Sequence, residues 1–314
     1  MTGMSTARLA ATVGIAALMV TSLAGVVSAG HVSRWDVAVN AESIPGTSPE
    51  LNTPSLDGCP FSAPDGRSLY LASNRSGGLG GLDIWVARRA HRGDPWGPPR
   101  NLGAPVNSVA DDFCPSPTSR RRLFFVSTRP GGCGEADIYL TRRTRHGWAE
   151  PRNLGCTVNS TAAEAGPVYL EQGRTRLLYF SSTRPGGFAP EQGSPPDADL
   201  YLSRAGKHGR FSSPVLVAGV NSAANDARPH LAAGGLALVF DSDRPGGLGG
   251  PDIWSSTRWR LRASWSVPVN LGPEVNSAAA ETRPSFADHG RTLYLGSTRP
   301  GGEGSSDLYV TTRE

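Results

Sequence analysis

Short apolar runs bounded by Gly, Pro, Asp and Ser recur along the chain, as in Leu69-Tyr70-Leu71, Ile84-Trp85-Val86 and Leu293-Tyr294-Leu295. Between the two runs of each pair lies Ser-x-Arg-(Pro/Ser)-Gly-Gly, followed after a short gap by Asp-(Ile/Leu)-(Trp/Tyr). Copies begin at Ser73, Ser127, Ser182, Ser242 and Ser297, with successive spacings of 54, 55, 60 and 55 residues. In Thr128-Arg129-Pro130-Gly131, Pro presets φ and the Gly after it can take φ > 0, which suits a type II turn. The pattern predicts strand, turn, strand, and a period of this size means repeated supersecondary units.

Two further signals complete the unit. A Trp-led segment follows the Asp-Ile-Trp strand at Trp96 to Asn101, Trp148 to Asn153 and Trp265 to Asn270, more loosely at Phe211 to Leu216, and predicts a fourth strand. An Asn, an acid five residues on and a Pro three further mark the first strand: Asn52/Asp57/Pro60, Asn107/Asp112/Pro115, Asn159/Glu164/Pro167, Asn221/Asp226/Pro229 and Asn276/Glu281/Pro284. The fifth unit ends after its third strand, at Asp307 to Val310, while an unused fourth-strand sequence stands at Trp35 to Asn40. An all-β, five-bladed propeller follows, with four-stranded blades closed by the N-terminal strand. The expected blades span 51–106, 107–158, 159–220, 221–275 and 276–314, preceded by a segment 30–50 that contains the closing strand 35–40.

The run Phe61 to Leu71 (Phe-Ser-x-Pro-Asp-Gly-Arg-x-Leu-Tyr-Leu), with the Ser-x-Arg and Asp-Ile-Trp that follow it, resembles the WD40-like PD40 repeats of the TolB-like propeller family. The longer Arg-Pro-Gly-Gly form and Asn-Leu-Gly look like the PD40 repeats found beside OmpA-type domains. The resemblance covers about Leu51 to Arg313 and implies a binding platform, the expected function being a non-catalytic one for a protein or an anionic envelope polymer. The alternative is a carbohydrate-active propeller, glycosidase or lectin, that uses carboxylates at the channel mouth.

The first 29 residues depart from the repeat. Arg8 leads an apolar stretch from Leu9 to Val27, and Val27-Ser28-Ala29 supplies small residues for cleavage, so 1–29 read as a signal peptide. Export to an extracellular or periplasmic compartment is expected, as a monomer with no membrane span after cleavage. Of the four cysteines, Cys59 and Cys114 hold the same position in adjacent blades. Cys133 and Cys156 fall on one predicted face. Disulfides Cys59 to Cys114 and Cys133 to Cys156 are the pairing favoured among three, and a zinc site has no CxxC spacing behind it.

The repeated charges carry the candidate chemistry. Asp57, Asp112, Glu164, Asp226 and Glu281 could ring the channel mouth and bind a cation, basic group or sugar. Equally, the turn arginines Arg75, Arg129, Arg184, Arg244 and Arg299 could each bridge such an acid to the Asp opening the third strand (Asp83, Asp137, Asp199, Asp252, Asp307). The second, architectural reading is favoured, because residues common to all blades serve the common fold. Formal net charge is only +4, but the turns at one end are rich in Arg. Arg89, Arg92, Arg121, Arg143, Arg145 and Arg260 form an expected basic face, which either attracts polyanions or reflects an Arg-rich composition. Nucleic acid is not the expected partner. The third blade takes 12 residues from Gly187 to Asp199 where the others take 5, adding a loop whose Phe188 and Glu191 are candidate contact residues. No cofactor, metal or catalytic motif is expected: GxSxG, HExxH and a nucleotide-binding Gly loop are all missing from the chain.

Overall fold

The apolar runs are strands because both of their faces meet other sheets. Leu69 and Leu71 pack toward Tyr294, Leu308 and Val310 of the last blade, whereas Tyr70 between them packs toward Leu123 and Phe125 of the next. Five such clusters lie between consecutive blades, and a small sixth lies at the axis. Burial on both sides makes the runs continuously apolar rather than alternating.

The computed structural model describes residues 1–2, 34–188, 197–206 and 209–314. The expected signal segment, apart from its first two residues, lies outside the described residues, as do Glu191 and most of the third-blade loop. Among the described residues, no helix is long and apolar enough to cross a membrane.

Five antiparallel sheets form the propeller. The innermost strands are Asp57–Ser62, Asp112–Pro117, Glu164–Gln172, Asp226–Leu231 and Glu281–Ala287, and each touches the next in a closed ring. Being edge strands, they tolerate the Pro in each, whose missing N–H faces the axis and not a ladder. The ring closes as the repeat predicts. Val39 pairs with Val310 and Asn40 with Tyr309, and Trp35 bridges Arg313.

The fourth strand is shorter than the hexamer suggests. Its continuous pairing is confined to Arg100–Asn101, Arg152–Asn153, Val215–Leu216, Val269–Asn270 and the closing Val39–Asn40, while Trp35, Trp148 and Phe211 at the hexamer starts pair separately with Arg313, Arg143 and Ala205. Pro99, Pro151, Pro214 and Pro268 stand immediately before four of these pairs and cannot donate, so continuous pairing starts after them. In the closing segment the Ala38 N–H goes instead to the Glu274 carbonyl.

The repeated Asn is a joint between blades. Asn107 accepts from the Ile84 N–H (2.9 Å) and donates to the Ile84 carbonyl, which replaces a missing backbone partner for the previous blade's third strand. Asn159, Asn221 and Asn276 accept in the same way from Ile138, Leu200 and Ile253. Asn52 does so to Leu308 (2.7 Å) across the point of closure. Disulfides join Cys59 to Cys114 and Cys133 to Cys156, with Cα separations of 4.9 and 5.6 Å.

Candidate functional site

The residues repeated in every blade are consumed by the architecture. Arg129 donates to Asp112 (2.6 Å), to the Ser127 hydroxyl (2.8 Å) and to the Val106 carbonyl (2.6 Å). The remaining Asp112 oxygen accepts from the Ser108 N–H and hydroxyl. The same set recurs at Arg75/Asp57, Arg184/Glu164, Arg244/Asp226 and Arg299/Glu281. Each guanidinium also lies over the aromatic ring of its third strand, at 4.7 to 5.3 Å from Tyr309, Tyr201, Tyr139, Trp254 and Trp85.

Two expectations are corrected by this geometry. Asp57, Asp112, Glu164, Asp226 and Glu281 are fully buried and both oxygens of each are taken, so they present nothing to a ligand in the channel. The arginines do not bridge two carboxylates either. Asp83, Asp137, Asp252 and Asp307 accept instead from the N–H of the residue four positions back, Leu79, Cys133, Leu248 and Glu303, and Asp199 from one farther back. In the third blade the inserted Phe188 takes that place (2.7 Å).

In three blades the same carboxylate also accepts from the fourth-strand Asn: Asn101 to Asp83, Asn153 to Asp137, Asn270 to Asp252. Blade three carries Leu216 there, so Asp199 lacks that donor. Burial pushes Asp199 up to about 6, Asp197 and Asp226 add to the rise, and the Phe188 N–H offsets part of it. An unfolded Asp ionises near pH 3.9, so between about pH 4 and 6 the folded chain holds one more proton than the unfolded chain. Stability contributed by Asp199 therefore falls as pH rises through that window. Urea midpoints measured at pH 4 and pH 7 should show the decline in the parent and a flatter response in Asp199→Asn; equal slopes would refute the assignment.

The channel itself is built from residues that the repeat does not share. Two positions after each acid, the innermost strand bulges and its residue takes a left-handed conformation: Cys59 (φ 48), Cys114 (φ 46), Gly166 (φ 55), Arg228 (φ 49) and Arg283 (φ 56). A Cβ at Gly166 would sit 2.6 Å from the Arg228 Cα, which is why that blade uses Gly. Arg228 forks onto the buried Asp241, and Asp241 also accepts from the Arg283 N–H (2.9 Å). Beyond this level Phe61, His230 and Phe286 meet across the axis, with ring centroids 4.5 Å apart for Phe61 and His230 and 6.2 Å for His230 and Phe286.

These rings floor a cup of about 320 Å³ that opens among the turns joining first and second strands. Its rim carries Arg92, Glu171, Gln172, Asp288 and His289. Glu171 accepts from Arg120, Arg122 and Arg176 at 3.0 to 3.2 Å, and Asp288 from Arg92 (3.1 Å) and the Thr292 hydroxyl (3.1 Å). Of the expected basic face, Arg92 thus belongs to the cup. Arg89, Arg143 and Arg260 lie over Trp96, Trp148 and Trp259, at 4.1, 5.4 and 4.1 Å, while Arg121 and Arg145 are exposed. Phe188 is 43% exposed at the opposite end. Among the described residues no His, Cys, Asp and Glu cluster could hold a metal ion.

Sequence reasoning missed the axial set, although the signal was present. The position of Cys59 and Cys114, one before the Pro, is the position of Gly166, Arg228 and Arg283 in the other three blades. Asp241 likewise interrupts the apolar run Leu238-Val239-Phe240 just before the repeated Ser242.

No protein-family model and no curated protein matches the chain. Solved structures share the fold at low identity. An α-L-arabinofuranosidase from Podospora anserina in complex with cellotriose is 11% identical, with 90% of this chain and 97% of that one aligned at a TM-score of 0.54. A xylan β-1,4-xylosidase from Bacillus halodurans is 14% identical over 84% of this chain and 53% of its own, so this chain spans about half of that enzyme, at a TM-score of 0.56. The GH43_1 enzyme from Xanthomonas citri complexed with xylotriose is 15% identical, covering 83% and 88% at a TM-score of 0.53. The likeness establishes the five-bladed propeller. Against the expectation of a non-catalytic platform for a protein or an anionic envelope polymer, the three structures named are carbohydrate-active propellers, which speak for the carbohydrate-active alternative instead.

Proposed function

We propose that the protein is a carbohydrate-active propeller that takes a short oligosaccharide or a glycan end into the axial cup. The observation that carries this reading is the composition of the cup. An aromatic floor of Phe61 and Phe286 lies under a polar rim of Glu171, Gln172, Asp288 and His289. Sugars offer an apolar C–H face to aromatic rings and hydroxyls around their edge, and concave sites with a few convergent polar groups suit them. The fold neighbours that act on xylan- and arabinose-containing substrates support the same class. Glu171 and Asp288 come from the third and fifth blades, and they are the carboxylates on which glycoside hydrolysis in this cup would draw. Export is part of the proposal, because two disulfides persist in an oxidising compartment. The tie to PD40 repeats of the TolB-like family rests on the repeat sequence from Phe61 to Leu71.

Calorimetric titration with xylotriose and cellotriose, paired with release of reducing ends from arabinoxylan, tests the reading. Binding in roughly the micromolar to millimolar range is expected, weakened at least about tenfold in Gln172→Ala and Asp288→Asn variants whose thermal unfolding is unchanged. Absence of binding to every neutral oligosaccharide offered would sink it.

A further inference from the structure

Between the cup's aromatic floor and the opposite end of the channel lies a second, separate cavity of about 30 Å³. Its walls are a ring of five prolines, Pro60, Pro115, Pro167, Pro229 and Pro284, which have no N–H to offer, and the Cys59–Cys114 disulfide. The polar side chains that line it, Arg228, His230, Arg283 and Ser285, each carry an N–H or O–H to donate. Arg283 makes one side-chain hydrogen bond among the described residues, to the Thr282 hydroxyl (3.2 Å), and has no carboxylate partner there. Burial and the neighbouring Arg228 charge pull its guanidinium down to about 10, against the opposing effect of Asp241. His230 is 6% exposed and its Nδ1 accepts from the Phe286 N–H (3.1 Å), which leaves Nε2 as the N–H; that nitrogen has no partner. Ser285 is 2% exposed and its hydroxyl is likewise unpartnered.

We infer that this cavity is a binding site for a small monovalent anion of halide size, held by the Arg283 guanidinium, the His230 Nε2–H and the Ser285 hydroxyl. Charge and size both point that way. Arg228 and Arg283 are half-buried and Asp241 is buried, and together they carry one net positive charge that, set back from water, favours a counter-charge. One halide neutralises it. About 30 Å³ is room for one such ion. A cation is disfavoured by the same two guanidinium groups, and a water molecule would satisfy hydrogen bonds without cancelling the charge.

The test uses the full chain and bromide as the probe. Crystals grown in sodium bromide should show an anomalous scattering peak in the axial cavity, within hydrogen-bonding distance of Arg283, His230 and Ser285. In solution, protein dialysed into sodium gluconate should gain thermal stability saturably on addition of bromide or chloride, as expected for a ligand that binds only the folded state. Ser285→Ala should shift the half-saturating concentration upward by at least about fivefold, and Arg283→Met should abolish the halide dependence. If Arg283→Met fails to fold, the bromide peak in the parent protein decides. A cavity holding water alone in those crystals, or an equal response to gluconate at matched ionic strength, would overturn the inference.

Discussion

Replacing Arg244 with Ala should destabilise the folded chain by about 3 to 5 kcal/mol, the range for removing one member of a buried ion pair. The reason lies in what Arg244 holds. Its guanidinium binds Asp226, the Ser242 hydroxyl and the Val220 carbonyl, and it lies 5.2 Å from the Trp254 ring. Asp226 is fully buried, so the substitution leaves a carboxylate with one oxygen still served by Ser222 and the other facing a hole. Arg244→Lys should recover only part of the loss, because a single ammonium cannot meet a carboxylate, a hydroxyl and a carbonyl in the plane of a fork. Equal replacement of both partners, as in Arg244→Met with Asp226→Leu, should be milder than Arg244→Ala alone. Denaturant midpoints on the four proteins provide the check. A loss under about 1 kcal/mol for Arg244→Ala would mean that the turn holds itself without the network.

That network shows which parts of the molecule could be read from its residues. The blade count and closure were legible because they rest on spacing: five copies of one turn, and a Trp35 to Asn40 segment matching Trp265 to Asn270. Backbone pairing obeys such periodicity, and Val39 does meet Val310. Partner choice within the turn was not legible. Arg75 and Asp83 lie close in sequence and opposite in charge, yet one Asp83 oxygen is taken by the Leu79 N–H and Asn101 while the other is buried without a partner, and Arg75 turns toward Asp57. Backbone donors of a Gly-rich turn have no signature in the side-chain sequence, so a competitor for the carboxylate went unseen.

The axis was hidden for a related reason. Alternation assigns side chains to faces only while the register holds, and every innermost strand slips at a bulge, as between Gly58 and Phe61 or Ala227 and His230. Residues such as Arg228 and Arg283, which alternation would send between sheets, are turned instead toward the channel. The cup's carboxylates were hidden by their arginines. Glu171 and Asp288 stand in sequence among the arginines of the Arg-rich turns, while in space they are the acids around which Arg120, Arg122, Arg176 and Arg92 gather. Function in a propeller sits where blades differ, and the five acids that could have ringed the channel mouth, Asp57, Asp112, Glu164, Asp226 and Glu281, have no free oxygen to offer.

Removing the Cys59–Cys114 cross-link should cost on the order of 4 kcal/mol, because it closes a 55-residue span between the first two innermost strands. The Cys133–Cys156 bridge spans 23 residues and should be worth about 3 kcal/mol on the same chain-entropy argument. A second contribution makes the first bridge distinctive. Cys59 and Cys114 both hold left-handed backbone, at φ 48 and 46, a conformation that costs a non-Gly residue about 1 to 2 kcal/mol. Replacing both by Ser keeps that backbone cost and loses the link. Replacing both by Gly, the residue that the third blade already uses at position 166, loses the link but relieves the backbone. Relief at two positions is about 2 to 4 kcal/mol, and the added chain entropy of two glycines takes back about 1 to 2 kcal/mol, so the Gly pair should stand about 1 to 2 kcal/mol above the Ser pair in chemical denaturation. A Ser pair as stable as the parent would show that the ring of inner strands is held by the five Asn joints and the interblade cores without help from the axis. A Gly pair no better than the Ser pair would show that the bulges relax once the sulfurs part, and that the disulfide itself draws those strands into the left-handed turn.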